Sequence, residues 1–275
     1  MVAGVLIFPS LFNFNLAIRS WSWFDPPSQR GHFVGLSNFS YLLSNTRFQN
    51  SIFVTSAFMT ITVSGEFFLG LCLGVLLNEV VVGRRFFRTV SLIPMMIAAI
   101  IVGLQWTYLL SSSFGVINHI FSKLLMPTYG WLSEPRLALL SVAAVDIWTY
   151  TPFVALIILG GLQTIPQELY EVAQLDGASS FQQFINVTVP FLKPTFILVL
   201  LIRIINVFKT FDLIYILTGE GPAGSTEILG LYAYRMAFSQ GEFGIAAAVA
   251  IITLLMAVAI GIFLLNIIKT EVKVI

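Results

Sequence analysis

Five stretches of this chain stay apolar for longer than a lipid bilayer is thick. They lie near residues 51–78, 89–110, 137–163, 191–217 and 244–268, and about 20 apolar residues suffice for a helix to cross the hydrocarbon layer. The chain is therefore expected to be all-α and polytopic. A sixth span is suggested by "MVAGVLIFPSLFNFNLAI", which begins at Met1, is interrupted by Pro9 and carries Asn13 and Asn15. It reads as a first core helix missing its first turns, with the natural start expected upstream. No basic residue precedes it and the chain continues through further spans, so it is not read as a cleavable signal.

Composition agrees, and it excludes other classes. Of 275 residues 57% are hydrophobic and 10% charged, outside the range of soluble globular domains. The net charge of +1 offers no basic surface for nucleic acid. Cys72 has no second cysteine to pair with, and His32 and His119 lack ligand spacing, so neither a disulfide within the chain nor a His/Cys metal site is expected.

Between the spans lie polar stretches at 19–50, 79–88, 111–136, 164–190 and 218–243, and no soluble domain; residues 1–275 form one transmembrane domain. With the N-terminus inside, the cytoplasmic side carries Arg84, Arg85, Arg88, Lys193, Lys269 and Lys273, and the outer side Arg19, Arg30, Arg47, Lys123, Arg136 and Arg235. The counts tie, but Arg84, Arg85 and Arg88 crowd one short loop beside a span, where positive charge orients most strongly. Trp21, Trp23, Trp106, Tyr108 and Trp131 lie near span ends, as interface anchors do.

On that orientation 164–190 is a cytoplasmic loop with its own local structure. Thr164 with Gln167 has capping-box spacing, and Pro166 suits a first helical turn. Leu169, Val172, Ala173 and Leu175 give a narrow apolar stripe, and Glu168, Glu171, Gln174 and Asp176 the polar remainder. Gly177 accepts a left-handed C-cap. Ser179 with Gln182 repeats the capping box, which predicts a second short helix with Phe181, Phe184 and Ile185 turned inward, running to Pro190. Helices this short are marginal alone, so the hairpin needs a surface to pack on.

Glu171, Val172, Ala173, three residues, Gly177, nine residues, Val187, one residue, Val189, Pro190: this order resembles the "EAA---G---------I-LP" loop of permease subunits of binding-protein-dependent ABC importers. Val172, Val187 and Val189 replace alanine, isoleucine and leucine, all apolar exchanges. "FVGLSNFSYLL" at 33–43 and "FDLIYILTGEGPAGSTEIL" at 211–229 are similar to the sugar-importing, maltose-transporter-like branch, except that Glu220 stands in an expected run of glycines. The resemblance implies a type I importer transmembrane domain with six core helices, the first shortened. It also implies that 164–190 couples to a cytoplasmic ATPase, with Glu171, Val172, Ala173, Leu175, Asp176, Gly177, Ala178 and Phe181 at the contact. An ordinary amphipathic connector on the membrane surface would want a wider apolar face and more Lys or Arg.

No G-x-x-x-x-G-K-[ST] stretch is present, so a phosphate-cradling loop is not expected here. No catalytic constellation stands out, and the chain reads as a transport subunit rather than an enzyme. ATP and Mg would belong to the partner ATPase.

Glu66, Asp146, Arg203, Lys209 and Asp212 fall inside predicted spans, where each would cost roughly 2.5–3.5 kcal/mol at the bilayer centre. They must face protein or water. Asp146, Thr149, Tyr150 and Phe153 share one helical face, and Arg203, Asn206, Val207 and Thr210 another. The resemblance implies substrate contacts from these two helices, so Asp146, Thr149, Tyr150, Phe153, Arg203, Asn206, Lys209 and Thr210 form the expected path. Competing structural readings are core packing for Tyr150, mutual neutralisation for Lys209 and Asp212 three residues apart, and close packing beside Gly65, Gly70 and Gly74 for Glu66.

The resemblance further implies a second, non-identical permease subunit, two ATPase copies and an external solute-binding protein that meets outer loops such as 218–243, in a prokaryotic inner membrane. The implied solute is a sugar or oligosaccharide; a polyol or sugar phosphate also fits, since Arg203 and Lys209 suit an anion. The rival reading is an ion-coupled secondary transporter relaying through Asp146, Arg203 and Lys209, which predicts internal repeats.

Overall fold

The computed structural model describes residues 2–26, 30–79 and 83–272, without the side chains of Val2, Ala3, Val5, Leu6, Arg84 and residues 268–272. Met1 and Lys273, and the side chains of Arg84 and Lys269, which enter the sequence reading above, lie outside the described residues.

Among the described residues, four helices are long and apolar enough to cross a membrane. They are α3 (Thr46–Glu79) and α8 (Pro135–Leu162), a continuous Ser180–Lys209 helix, and α14 (Phe243–Val272). The third contains α10 (Ser180–Gln183), a π-helical turn at Phe184–Thr188 and α11 (Val189–Lys209). Before α3 come α1 (Val2–Ala17), which continues through Pro9, and the short α2 (Ser37–Ser44). A two-residue ladder joins β1 (Arg19–Ser20) to β2 (His32–Phe33) in the antiparallel sense.

Two predicted spans are not single helices. The run at 89–110 is divided into α4 (Arg84–Ser91), α5 (Ile93–Met96) and α6 (Ala99–Leu109). Pro94 has no N–H to continue the helical ladder, and Ile97 and Ala98 are extended, with ψ of 135° and 136°. The run at 191–217 stops at Lys209. Thr210 is extended at ψ 109° and α12 (Asp212–Leu217) starts afresh. No proline or glycine marks this break. Instead Phe211 turns onto Tyr215 and Tyr234, with ring centroids 5.4 and 5.2 Å away. Apolar length alone reports composition and does not guarantee an unbroken backbone.

Small residues decide which spans meet. A Cβ on Gly65 would lie 2.6 Å from Ile147 Cδ1, and one on Gly70 2.5 Å from Val154 Cγ1. Bare glycine backbone on α3 is thus what lets α8 approach, as in membrane helix pairs generally. That approach carries Glu66 of α3 up to Asp146 of α8. Three apolar clusters follow: one around Phe58, Val142, Val207 and Ile214, one around Leu42, Phe48, Tyr232 and Ala248, and one around Val154, Ile158, Leu192 and Val199. The remaining α-helices among the described residues are α7 (Val116–Lys123), α9 (Gln167–Leu175) and α13 (Leu229–Tyr234).

Candidate functional site

The hairpin between α8 and α11 takes its shape from a handful of residues. α9 ends at Asp176, and Gly177 follows at φ +79°. The Gly177 N–H donates to Gln174 O at 3.1 Å and the Ala178 N–H to Ala173 O at 2.9 Å, the paired bonds of a Schellman stop. Ser179 and Gln182 then form the predicted reciprocal capping box. The box expected at Thr164 does not form. The Thr164 hydroxyl donates to Gly161 O at 2.8 Å, still in the last turn of α8, and Pro166 is the N-cap.

The apolar stripe divides rather than facing one way. Leu169 and Tyr170 pack against the Val154–Leu192 cluster, and Tyr170 Oη lies 2.8 Å from Thr188 Oγ1. Tyr170 was not singled out from sequence, although its spacing from Thr188 across the loop is what closes the hairpin. Leu175, Phe181 and Val172 point outward, 88%, 73% and 56% exposed. Ile185 is exposed too and only Phe184 is half-buried, so the inward Phe181 and Ile185 predicted above are corrected. Continuation of α10 into α11 through the π turn sets that facing. Glu171, Asp176 and Gly177 are also exposed, while Ala173 and Ala178 are half-buried.

Deeper in the molecule, α3, α8 and α11 bring together a buried charge cluster. Arg203 Nη2 donates to Glu66 Oε1 at 2.5 Å and to Asp146 Oδ2 at 3.0 Å, and its Nε donates to the other Glu66 oxygen. All three side chains are buried, and the guanidinium lies 4.0 Å from the centroid of the Tyr150 ring. Asp146 Oδ1 and Arg203 Nη1 have no hydrogen-bond partner among the described residues.

Beside this cluster, where α11 breaks into α12, is a cavity of about 250 Å³. Asp146, Thr149, Tyr150, Asn206, Lys209 and Thr210 line it together with Asp212 and pieces of α5 and α6. The broken second span thus contributes wall that a single straight helix would not. Two residues of the predicted path are elsewhere. Phe153 is half-buried against the Val154–Leu192 cluster. Arg203 is behind the wall, engaged by Glu66 and Asp146. Lys209 and Asp212 both line the cavity, and among the described residues they make no ion pair. The helix break falls between them, so the three-residue spacing that would have let them neutralise each other does not apply.

A second network ties the outer loop to the start of α3. Glu227 is buried between Arg235, at 2.8 Å, and Arg47, at 2.7 Å, and Arg47 also meets Glu220. Glu220 is accommodated because Gly219 and Gly221 on either side supply the positive φ of that turn. Of the outer-side charges tallied in the sequence, Arg235 is thus consumed inside the protein, while Arg47 stays exposed at the surface and pairs with Glu227 and Glu220.

Residues 66–271 match the family described as the binding-protein-dependent transport system inner membrane component. The chain belongs to this family. It is 38% identical over 267 residues to the trehalose/maltose transport system permease protein MalF of Thermococcus litoralis, covering 97% of this chain and 89% of that protein. It is 32% identical over 239 residues to the sulfoquinovosyl glycerol transport system permease protein SmoG of Agrobacterium fabrum, covering 87% and 78%. A solved bacterial ABC transporter involved in the import of the acidic polysaccharide alginate superposes with a TM-score of 0.85 at 23% identity, over 98% of this chain and 91% of that one. At that identity the likeness shows the fold, a type I importer transmembrane domain. The family consists of transport permeases, which places the chain in a membrane.

Proposed function

We propose that this chain is one permease subunit of an ATP-driven importer of carbohydrates, forming half of an alternating-access path with a second, non-identical permease. The observation that carries the reading is the cavity between α8 and α11. An acid, an amide, hydroxyls and an aromatic ring converge there inside apolar helices, and the same two helices are joined by a hairpin that leaves Val172, Leu175 and Phe181 bare. Hydroxyls take hydrogen bonds from such a wall, and the C–H face of a pyranose stacks on a ring. The hairpin docks on a cytoplasmic ATPase that holds ATP and Mg, two copies serving the two permeases. A solute-binding protein delivers the solute to the outer loops of a prokaryotic inner-membrane complex. The relatives' names, trehalose/maltose and sulfoquinovosyl glycerol permeases, support a carbohydrate. An ion-coupled carrier would leave the hairpin and family membership without a role.

Tyr150→Phe tests the cavity. The substitution keeps the ring beneath Arg203 and removes only the hydroxyl, whereas Tyr150→Ala would also uncover the buried guanidinium. Complex yield and basal ATP hydrolysis should be unchanged. Uptake of at least one of two compared sugars should fall roughly 3- to 10-fold, the range for one lost hydrogen bond, and by different factors for the two. Equal uptake of both sugars by variant and parent would remove Tyr150 from the path.

A further inference from the structure

Family membership leaves the charge of the solute open. Relatives and neighbours carry names that include trehalose and maltose as well as the acidic polysaccharide alginate. The geometry points to a charge filter in this chain: Glu66 and Asp146 together cancel Arg203, so the cavity presents no surplus positive charge and admits uncharged polyhydroxy solutes while disfavouring carboxylated or phosphorylated ones. The inference rests on the cavity being the solute path, as proposed above.

In sequence, Arg203 and Lys209 look like a pair of cations suited to an anion. The fold withdraws the first. Two carboxylates hold the guanidinium, one through both of its oxygens, and Tyr150 covers its face. The charge sum of the three groups is −1 with both carboxylates ionised and zero if one retains a proton. Neither sum is positive. Asp146 moreover keeps a second oxygen, Oδ1, with no partner among the described residues, on a residue that lines the cavity. That oxygen is itself buried, so it acts on the cavity through its charge: a carboxylate or phosphate is repelled, and an uncharged hydroxylated solute is not. Lys209 remains, and Asp212 on the same wall offsets it. Inside low-dielectric walls such a field is felt strongly by a passing ion.

The sign of the cavity can be read without knowing the solute. Cys72 is replaced by Ser, and Ala99→Cys places one thiol on the cavity wall, in the complex assembled with its partner subunits. A cationic trimethylammonium-ethyl and an anionic sulfonatoethyl methanethiosulfonate are compared, with modification of this chain followed by intact mass. Each rate is divided by that reagent's rate with a free thiol. The cationic reagent should react at least as fast as the anionic one on that scale. Glu66→Gln with Asp146→Asn leaves Arg203 uncancelled whatever the protonation of the parent, and should raise the relative anionic rate about tenfold, the low end of focusing by a charged cleft. Lys209→Gln, which breaks no ion pair, should shift the ratio in the opposite direction and serves if the double variant does not assemble. A parent cavity that favours the anionic reagent overturns the filter, as does a ratio indifferent to these substitutions or a thiol that neither reagent reaches. Because the reagents contain no sugar, failure here is distinct from failure of carbohydrate uptake, which would instead remove the proposed function.

Discussion

Gly177→Val should cut transport about tenfold while leaving the amount of membrane-inserted chain unchanged. Apart from its two chain neighbours, no described residue puts an atom within 4 Å of where a Cβ would stand on Gly177, so the substitution meets no clash with the rest of the fold. What it meets is the backbone: φ is +79°, and a non-glycine residue in that region costs about 1–2 kcal/mol, with a β-branched one worse off. Relief comes only by unwinding the Schellman stop, which redirects α10 and with it the exposed Phe181. Docking on the ATPase should weaken, visible as less ATPase recovered with the purified permease. Gly177→Asn is the control, because asparagine tolerates the left-handed region and should retain most of the rate. Equal transport by the Val variant and the parent would mean that the hairpin geometry does not govern coupling.

Arg203→Ala should be the most damaging substitution in the membrane, and through stability. It leaves Glu66 and Asp146 facing one another, buried, with no cation between them. Removing one partner of a buried charge pair costs about 3–5 kcal/mol. The expected result is a large loss of intact complex, a lowered thermal midpoint for what is recovered, and reduced uptake of every solute alike. Adding Glu66→Gln to Arg203→Ala takes away one stranded charge and should return part of the yield. A normal yield for Arg203→Ala, with transport altered for some sugars only, would mean that Arg203 contacts the solute directly and that the ion cluster is not structural.

The contrast between these two sites shows what local sequence can carry. Gly177, the Ser179–Gln182 box and the long apolar helices α3, α8 and α14 are set by neighbours within a few residues, and all were legible, whereas the Ser180–Lys209 helix starts earlier and stops sooner than its apolar run. The facing of Phe181 and Ile185 was not, because a π turn runs α10 straight into α11 and rotates that face outward. The break at Thr210 has no proline or glycine to announce it; its aromatic partner Tyr234 is on α13. Pro94 lies inside the apolar run at 89–110 and is the local signal that could have announced its break. For Glu66 the sequence left packing beside its glycines and a place on the path both open, because its partner Arg203 is 137 residues away. Lys209 and Asp212 taught the converse, since a spacing of three implies contact only if the helix between them is continuous. Of the six predicted path residues that line the cavity together, Asp146, Thr149, Tyr150, Asn206 and Thr210 share helical faces legible in sequence, and Lys209 stood out only as a charge inside a span. Phe153 shared that facing but belongs one layer further along α8, in an apolar cluster.

The central claim is that this chain carries a carbohydrate only as part of an ATP-driven assembly. Its most direct test is uptake of radiolabelled trehalose and maltose into proteoliposomes containing this chain, its partner permease and their ATPase, with the solute-binding protein outside and ATP sealed inside. The expected result is accumulation of at least one sugar that requires ATP and all components, with no uptake by the chain alone under an imposed proton gradient. Accumulation driven by the proton gradient in vesicles containing only this chain would contradict the claim.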